Sequence, residues 1–249
     1  MESTIKEHLR HIEREHEVRI LMAVESGSRA WGFPSPNSDY DARFVYVHPR
    51  KWYLSLDERR DVIEEKCTDL LDINGWDLRK ALTFYRKTNP VIYEWLQSPI
   101  IYQQDVNFVS ALIGAKDKFF SPKPGVHHYL SMAERVFADC TGEEVKLKKY
   151  FYALRAALSA RWIVENESCP PMELKPLLRL VPESTQVDAI LQLIDDKKLL
   201  NESEKRAIPD AARLVVTDSV QIAKSGAPTV SVRTGDMQWL NDFFVATIG

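Results

Sequence analysis

Two carboxylates, Asp39 and Asp41, head a run, Tyr40 to Val47, that is otherwise mostly apolar and carries Arg43 as its third charge. Side chains of an extended strand alternate between faces. A strand over 39–47 therefore puts Asp39, Asp41 and Arg43 on one face. Tyr40, Ala42, Phe44 and Tyr46 fall on the other, where they can pack a core. Paired carboxylate oxygens on one face are what a hard cation binds. The plainer reading of an Asp-x-Asp before a strand is turn chemistry, and Arg43 can equally pair with Asp41 as a structural ion pair. Upstream, Gly27-Ser28 follows a second apolar run, Val18 to Val24, and residues 29–38 separate it from Asp39. That stretch is crowded with glycine, proline, serine and asparagine and reads as a loop.

The elements that must position these groups follow from periodicity. Ile5, Leu9 and Ile12 recur at helical spacing, with Thr4 and Glu7 as a capping box. Strands are expected over 18–24, 39–47 and 70–76, the last carrying Asp72. A helix opens near Asp77 and ends at Asn89-Pro90, a short helix covers 91–96, and 99–102 is a last strand. Beyond about residue 105 helical periodicity dominates. Helices are expected over 105–118, 125–139, 143–166, 173–180, 184–195 and 202–224. Leu147, Phe151, Leu154, Leu158 and Trp162 form one apolar stripe. The expected division is therefore 1–104 and 105–249. His127 and His128 are adjacent and cannot share a helix face, so they make no metal pair, and Trp31, Trp76 and Trp95 read as core.

The Gly-Ser turn, its spacer and the Asp-x-Asp resemble the signature of the DNA polymerase beta-like nucleotidyltransferase superfamily. The strings Gly27-Ser28-Arg29-Ala30-Trp31-Gly32-Phe33 and Ser38-Asp39-Tyr40-Asp41-Ala42-Arg43-Phe44 look like its YcgL-like branch of bacteria and phages. Residues 74–82, 89–90, 94–99 and 149–155 agree with it, so the resemblance covers roughly 18–165. It implies an α+β fold: a small mixed sheet of the polymerase-beta palm type with flanking helices, followed by a C-terminal helical bundle. It implies Mg²⁺-dependent transfer of a nucleotidyl group from an NTP, such as ATP, to an acceptor hydroxyl, with two ions and with Mn²⁺ as a substitute. Asp39 and Asp41 would hold the ions. Gly27, Ser28, Arg29 and Arg43 would meet the triphosphate. Lys148, Tyr152 and Arg155 form a stripe at i, i+4 and i+7 with Lys149 beside it, and Lys149, Tyr152 and Arg155 would reach the triphosphate or base from the helical half, although a solvated helix face explains that stripe as well. A third carboxylate completes such sites. Asp72, between Leu71 and Ile73, is favoured over Asp77, which follows Gly75-Trp76 and suits a helix N-cap.

Composition sets outer bounds. Of 249 residues, 45% are hydrophobic and 28% charged, which is globular. Net charge is −3, so no global basic field recruits nucleic acid. The charged start, Met1 to Glu7, has no signal-peptide core, and Ile20 to Val24 is too short to span a bilayer. Cys67, Cys140 and Cys169 are scattered and odd in number, which argues against a disulfide framework, a disulfide-linked partner or a zinc site. The expectation is a cytoplasmic enzyme without a membrane partner, whose acceptor is an RNA end, a protein side chain or a small molecule. The rival is a non-catalytic nucleotide sensor or antitoxin that keeps the fold.

Overall fold

The computed structural model describes residues 1–57, 59–68 and 70–249; the side chains of 66–68, Cys67 among them, lie outside the described residues. The chain forms two compact units. One comprises Met1–Gly27, Asp39–Phe119 and Thr234–Gly249, and the other Ser28–Ser38 and Phe120–Arg233. The expected division at 104/105 is therefore replaced by a discontinuous one. Residues 106–119 and the C-terminal helix complete the sheet unit, and the loop after Gly27 belongs to the helical unit.

The first unit is built from α1 (Glu2–Glu15), β1 (Arg19–Glu25), the start of α2 (Gly27–Trp31), β2 (Tyr40–Val47), α3 (Arg50–Tyr53), β3 (Val62–Thr68), β4 (Leu71–Asp77), α4 (Leu78–Arg86), α5 (Pro90–Trp95), β5 (Ile101–Gln104) and α6 (Val106–Phe119). The strands form one mixed sheet in the order β3-β4-β2-β1-β5. β2 and β4 are parallel, with Asp41 opposite Asp72, and the other pairings are antiparallel. One face carries the core: Ile5, Leu9 and Ile12 of α1 lie against Ala42, Phe44, Tyr46, Leu71 and Ile73. The alternation read from β2 is thus the alternation of the fold. Gly75 is required there, because a Cβ on it would lie 2.2 Å from the Phe44 ring. On the opposite face Trp76 packs against Phe84 and Trp95, with ring centroids 4.8 and 4.2 Å away.

Some element ends differ from expectation. α1 starts at Glu2 with Met1 as its cap position, so Thr4 lies inside the helix and the capping box does not form. The edge strand β3 escaped the periodicity reading because charged residues interrupt it, which an edge tolerates. α5 opens as expected, with Asn89 Oδ1 accepting the Val91 N–H at 3.0 Å.

The helical unit contains α7 (Pro122–Ala138), β6 (Glu144–Lys146), α8 (Leu147–Asn166), α9 (Leu174–Leu177) with a following 3₁₀ turn, α10 (Ser184–Leu199), β7 (Lys205–Ala207) and α11 (Asp210–Gly226). Buried Ala153, Ala156, Ala157 and Ala160 let α8 approach its neighbours closely. β6 and β7 pair as a short antiparallel ribbon, each of three residues, too short for any sequence period. α12 (Met237–Ile248) returns to the sheet unit. Asp236 caps it, accepting from the N–H groups of Gln238 and Trp239. Cys140 and Cys169 are buried and unbridged. Among the described residues no helix is long and apolar enough to cross a membrane.

Candidate functional site

In the sheet unit the parallel register brings Asp41 and Asp72 side by side on the face away from the α1 core. Arg43 lies between them. Its Nη2 donates to Asp41 Oδ1 at 2.8 Å and to Asp72 Oδ2 at 2.7 Å. Its Nη1 donates to the carbonyls of Ala42 and Asp72, both at 3.2 Å. The question left open for Arg43 therefore has a structural answer: it bridges the two carboxylates. Their exposure differs. The Asp41 side chain is 30% exposed and that of Asp72 51%, so Asp72 is the one more open to an incoming group.

The backbone of Asp41 is fixed on both sides. Its carbonyl accepts from Ser26 N–H at 2.9 Å, and its N–H donates to Glu25 Oε1 at 2.8 Å. Glu25 is fully buried and also accepts from the Tyr102 hydroxyl. Sequence reasoning missed this acid. No local signal marked it, since it closes an apolar strand just before Ser26-Gly27, a place where a carboxylate usually faces water. Gly27 has a φ of +62°, and a Cβ there would fall 2.3 Å from Asp41 Oδ2. Gly27 thus makes room for the Asp41 carboxylate itself, where the expectation had it admitting phosphate. Asp39 sits one residue before β2 and is partly buried.

Asp77 lies elsewhere. It stands five residues after Asp72, at the far end of β4, and is 1% exposed. Its Oδ1 accepts from Arg79 N–H at 2.8 Å and its Oδ2 from the Tyr53 hydroxyl at 2.6 Å. Burial pushes its carboxyl up, against the pull of those two hydrogen bonds. Asp77 is the N-cap of α4 and does not converge with Asp41. Among the described residues, the trio whose ligand atoms lie within 4.8 Å of one another is Glu15, His16 and Glu65, not Asp39, Asp41 and Asp72. The oxygen-only donors of the three aspartates nonetheless suit a hard divalent cation.

The loop after Gly27 is organised by the helical unit. Ser38 Oγ donates to Glu202 Oε1 at 2.7 Å and accepts from Ser28 Oγ at 3.1 Å and Ser35 N–H at 2.9 Å. Arg29 Nη2 donates to the Ser38 carbonyl at 2.7 Å. Lys197 is buried and donates to Ser35 Oγ at 2.9 Å; burial lowers its pKa. For Glu202 burial works upward, but the bonds from Lys148 and Ser38 outweigh it and hold the carboxyl below its usual range. Ser28, expected to offer its hydroxyl to phosphate, is thus engaged within the loop. Lys197 and Glu202 gave no sequence signal, since they lie more than 160 residues from the serines they hold.

The expected basic stripe of α8 is divided. Arg155 is 3% exposed and lies over the Trp31 ring at 4.1 Å, with Tyr152 edge-on to the same ring at 4.7 Å. Lys149 points outward to Asp139 at 2.7 Å. Arg155 and Tyr152 therefore anchor the loop through Trp31, joined by Phe33 stacked on Phe151 at 4.9 Å. Lys148, at the head of the stripe, donates to Glu202 at 2.6 Å, and Lys149 lies beside the stripe, six residues and well off the face from Arg155.

The profile of the RNA repair pathway DNA polymerase beta family matches residues 1–246. The chain belongs to that family. An uncharacterized protein, YcgL of Bacillus subtilis strain 168, is 39% identical over 239 residues, covering 95% of this chain and 92% of its own. A crystal structure of a nucleotidyltransferase-like protein from Exiguobacterium sibiricum aligns with 89% of this chain and 75% of its own, at 11% identity and a TM-score of 0.33. The family membership agrees with the α+β architecture and with a nucleotidyltransferase-type function.

Proposed function

We propose that the protein moves a nucleotidyl group from an NTP to an acceptor hydroxyl, with the chemistry centred on Asp41 and Asp72. The observation that carries this reading is their pairing across parallel strands, with Gly27 cleared for the Asp41 carboxylate. Asp39, Asp41 and Asp72 would hold Mg²⁺, or Mn²⁺ in its place. Two bound ions supply charge neutralisation at the attacking and leaving oxygens. The residues do the remainder. The Asp72 carboxylate, the more exposed of the pair, accepts the proton of the acceptor hydroxyl. The acceptor oxygen bonds to the α-phosphorus, the bond to the bridging oxygen breaks, and pyrophosphate leaves with the electron pair. Arg43, already among the carboxylates, turns donors toward phosphate. Glu25 keeps the Asp41 peptide in place. Ser28 and the Arg155–Trp31–Tyr152 stack shape the loop, and the Lys149 ammonium is held by Asp139.

The family description names an RNA repair pathway, which favours an RNA end as acceptor over a protein side chain or a small molecule. One observation favours the rival sensor reading: Arg43 neutralises both carboxylates. Incubation with each α-labelled NTP, Mg²⁺, and separate pools of RNA and protein tests the proposal. Label in RNA with release of pyrophosphate is expected. NTP binding without pyrophosphate release supports the sensor.

A further inference from the structure

A cavity of about 570 Å³ opens beside Asp77, at the end of β4 remote from Asp72. Five residues of strand separate the two aspartates, about 16 Å at the usual rise. The cavity is therefore distinct from the paired carboxylates. Its walls combine aromatic planes with cations, chiefly Trp52, Tyr53, Phe84, Arg59, Arg79 and Lys80.

The aromatic part is held rigidly. The Trp52 indole lies flat on His48, with ring centroids 4.1 Å apart and planes 10° apart, and meets Tyr53 edge-on at 5.0 Å. Burial, with help from Arg59, pushes His48 down to about 4, so the ring under Trp52 is neutral at neutral pH.

The cationic part is available. The Arg79 guanidinium lies 5.3 Å from the Tyr53 ring and 5.4 Å from the Phe244 ring, contacts that use its face. Its in-plane N–H groups have no acceptor among the described residues. Arg59 lies 5.9 Å from the Trp52 ring and, among the described residues, hydrogen-bonds only to Ser55 Oγ, at 3.5 Å. The nearby acids are mostly spoken for. Asp61 pairs with Lys80 at 2.9 Å, and both Asp77 oxygens are bonded, which leaves exposed Asp57 among the described acids lining the cavity. A guanidinium whose faces are stacked still offers a planar fork that fits a phosphate. A fixed indole beside it offers a surface for a base, and stacking of that kind tolerates any base.

We propose that this cavity is a second nucleotide site, which binds one nucleotide unit with its phosphate on Arg79 and Arg59 and its base on Trp52. The unit could come from a free nucleotide or from an RNA strand, since both present the same chemistry. The site does not depend on the transfer reaction proposed above.

Calorimetry in the presence of EDTA tests it, because cation-dependent NTP binding is then silent. AMP and a six-residue oligoadenylate are titrated into the wild type and into Arg79→Ala, Trp52→Ala, Arg79→Lys and Asp41→Asn. Binding is expected in the wild type and in Asp41→Asn, with a loss of at least about tenfold in Arg79→Ala and Trp52→Ala. Arg79→Lys keeps the charge and the ring contacts but not the fork, so it should remain folded and bind several-fold more weakly. It decides the matter if Arg79→Ala does not fold. Tighter binding of the oligonucleotide identifies a strand as the source, and equal binding identifies the free nucleotide. Absence of binding in the wild type overturns the proposal. So does binding that survives both Trp52→Ala and Arg79→Lys unchanged.

Discussion

Replacing Gly27 by alanine should disturb Asp41 more than it disturbs its own backbone. The backbone sits at φ +62°, a conformation that costs an L-residue about 1–2 kcal/mol. The new Cβ would also stand 2.3 Å from Asp41 Oδ2, so the carboxylate must swing away. That movement breaks its 2.8 Å bond to Arg43. Both side chains are partly exposed, so the loss is about 1 kcal/mol rather than the value of a fully buried charged bond. The expected total is about 2–3 kcal/mol. Urea unfolding of the wild type, Gly27→Ala, Asp41→Ala and the double variant separates the two parts. With Asp41 truncated the offending atoms are gone, and Gly27→Ala should cost only the backbone strain. The cycle should show a coupling of about 1 kcal/mol. Gly27→Ala should also weaken cation-dependent NTP binding, because it displaces a ligand oxygen. Additive costs, or a Gly27→Ala protein with wild-type stability and NTP affinity, would refute the close approach.

The other predictions address separate groups. Asp72→Asn should lower transfer by about 10²–10³ or more while NTP still binds in calorimetry; an unchanged rate removes Asp72 from the chemistry. Asp77→Ala should cost about 0.5–2 kcal/mol for the lost cap and a further cost for the buried Tyr53 hydroxyl left without its acceptor, with no change in cation-dependent NTP affinity. His48 is held at about 4 in the fold, below its ordinary 6.5. Below that ordinary value the unfolded chain binds the extra proton, so stability falls as pH drops from 6.5 through 4; His48→Phe should flatten this part of the unfolding-free-energy profile relative to wild type. Lys149→Ala should change stability by less than about 0.5 kcal/mol and leave the apparent KM for NTP alone in steady-state kinetics.

The parts of the fold legible in the sequence are those set by local periodicity. Tyr40, Ala42, Phe44 and Tyr46 alternate with Asp39, Asp41 and Arg43 over the first half of the strand, and the fold uses that alternation to divide core from cleft. The pairing of Asp41 with Asp72 follows from two strands whose acids occupy matching positions. Glu25 was hidden because no local pattern distinguishes an acid at a strand's end from one buried beneath its neighbour. Lys197 and Glu202 were hidden for a different reason: their partners are serines of a loop far earlier in the chain, and only tertiary contact joins them. α12 was within reach, since Asp236 caps a segment bearing Trp239, Leu240, Phe243 and Phe244, but its period covers scarcely three turns.

The return of residues 234–249 to the sheet unit sets the order of events at the ribosome. All strands of the sheet emerge early, yet the helix that supplies Phe244 to Tyr53 and Arg79 is made only after the helical unit. At usual elongation rates of roughly 5–20 residues per second, at least several seconds pass between α6 leaving the exit tunnel and α12 following it. Throughout that interval the nascent sheet unit displays an uncovered α4, while the whole of the intervening helical unit is being synthesised and can fold. A release or stall near residue 233 would therefore yield a chain with one finished unit and one lacking its closing helix, a natural target for chaperones and proteases.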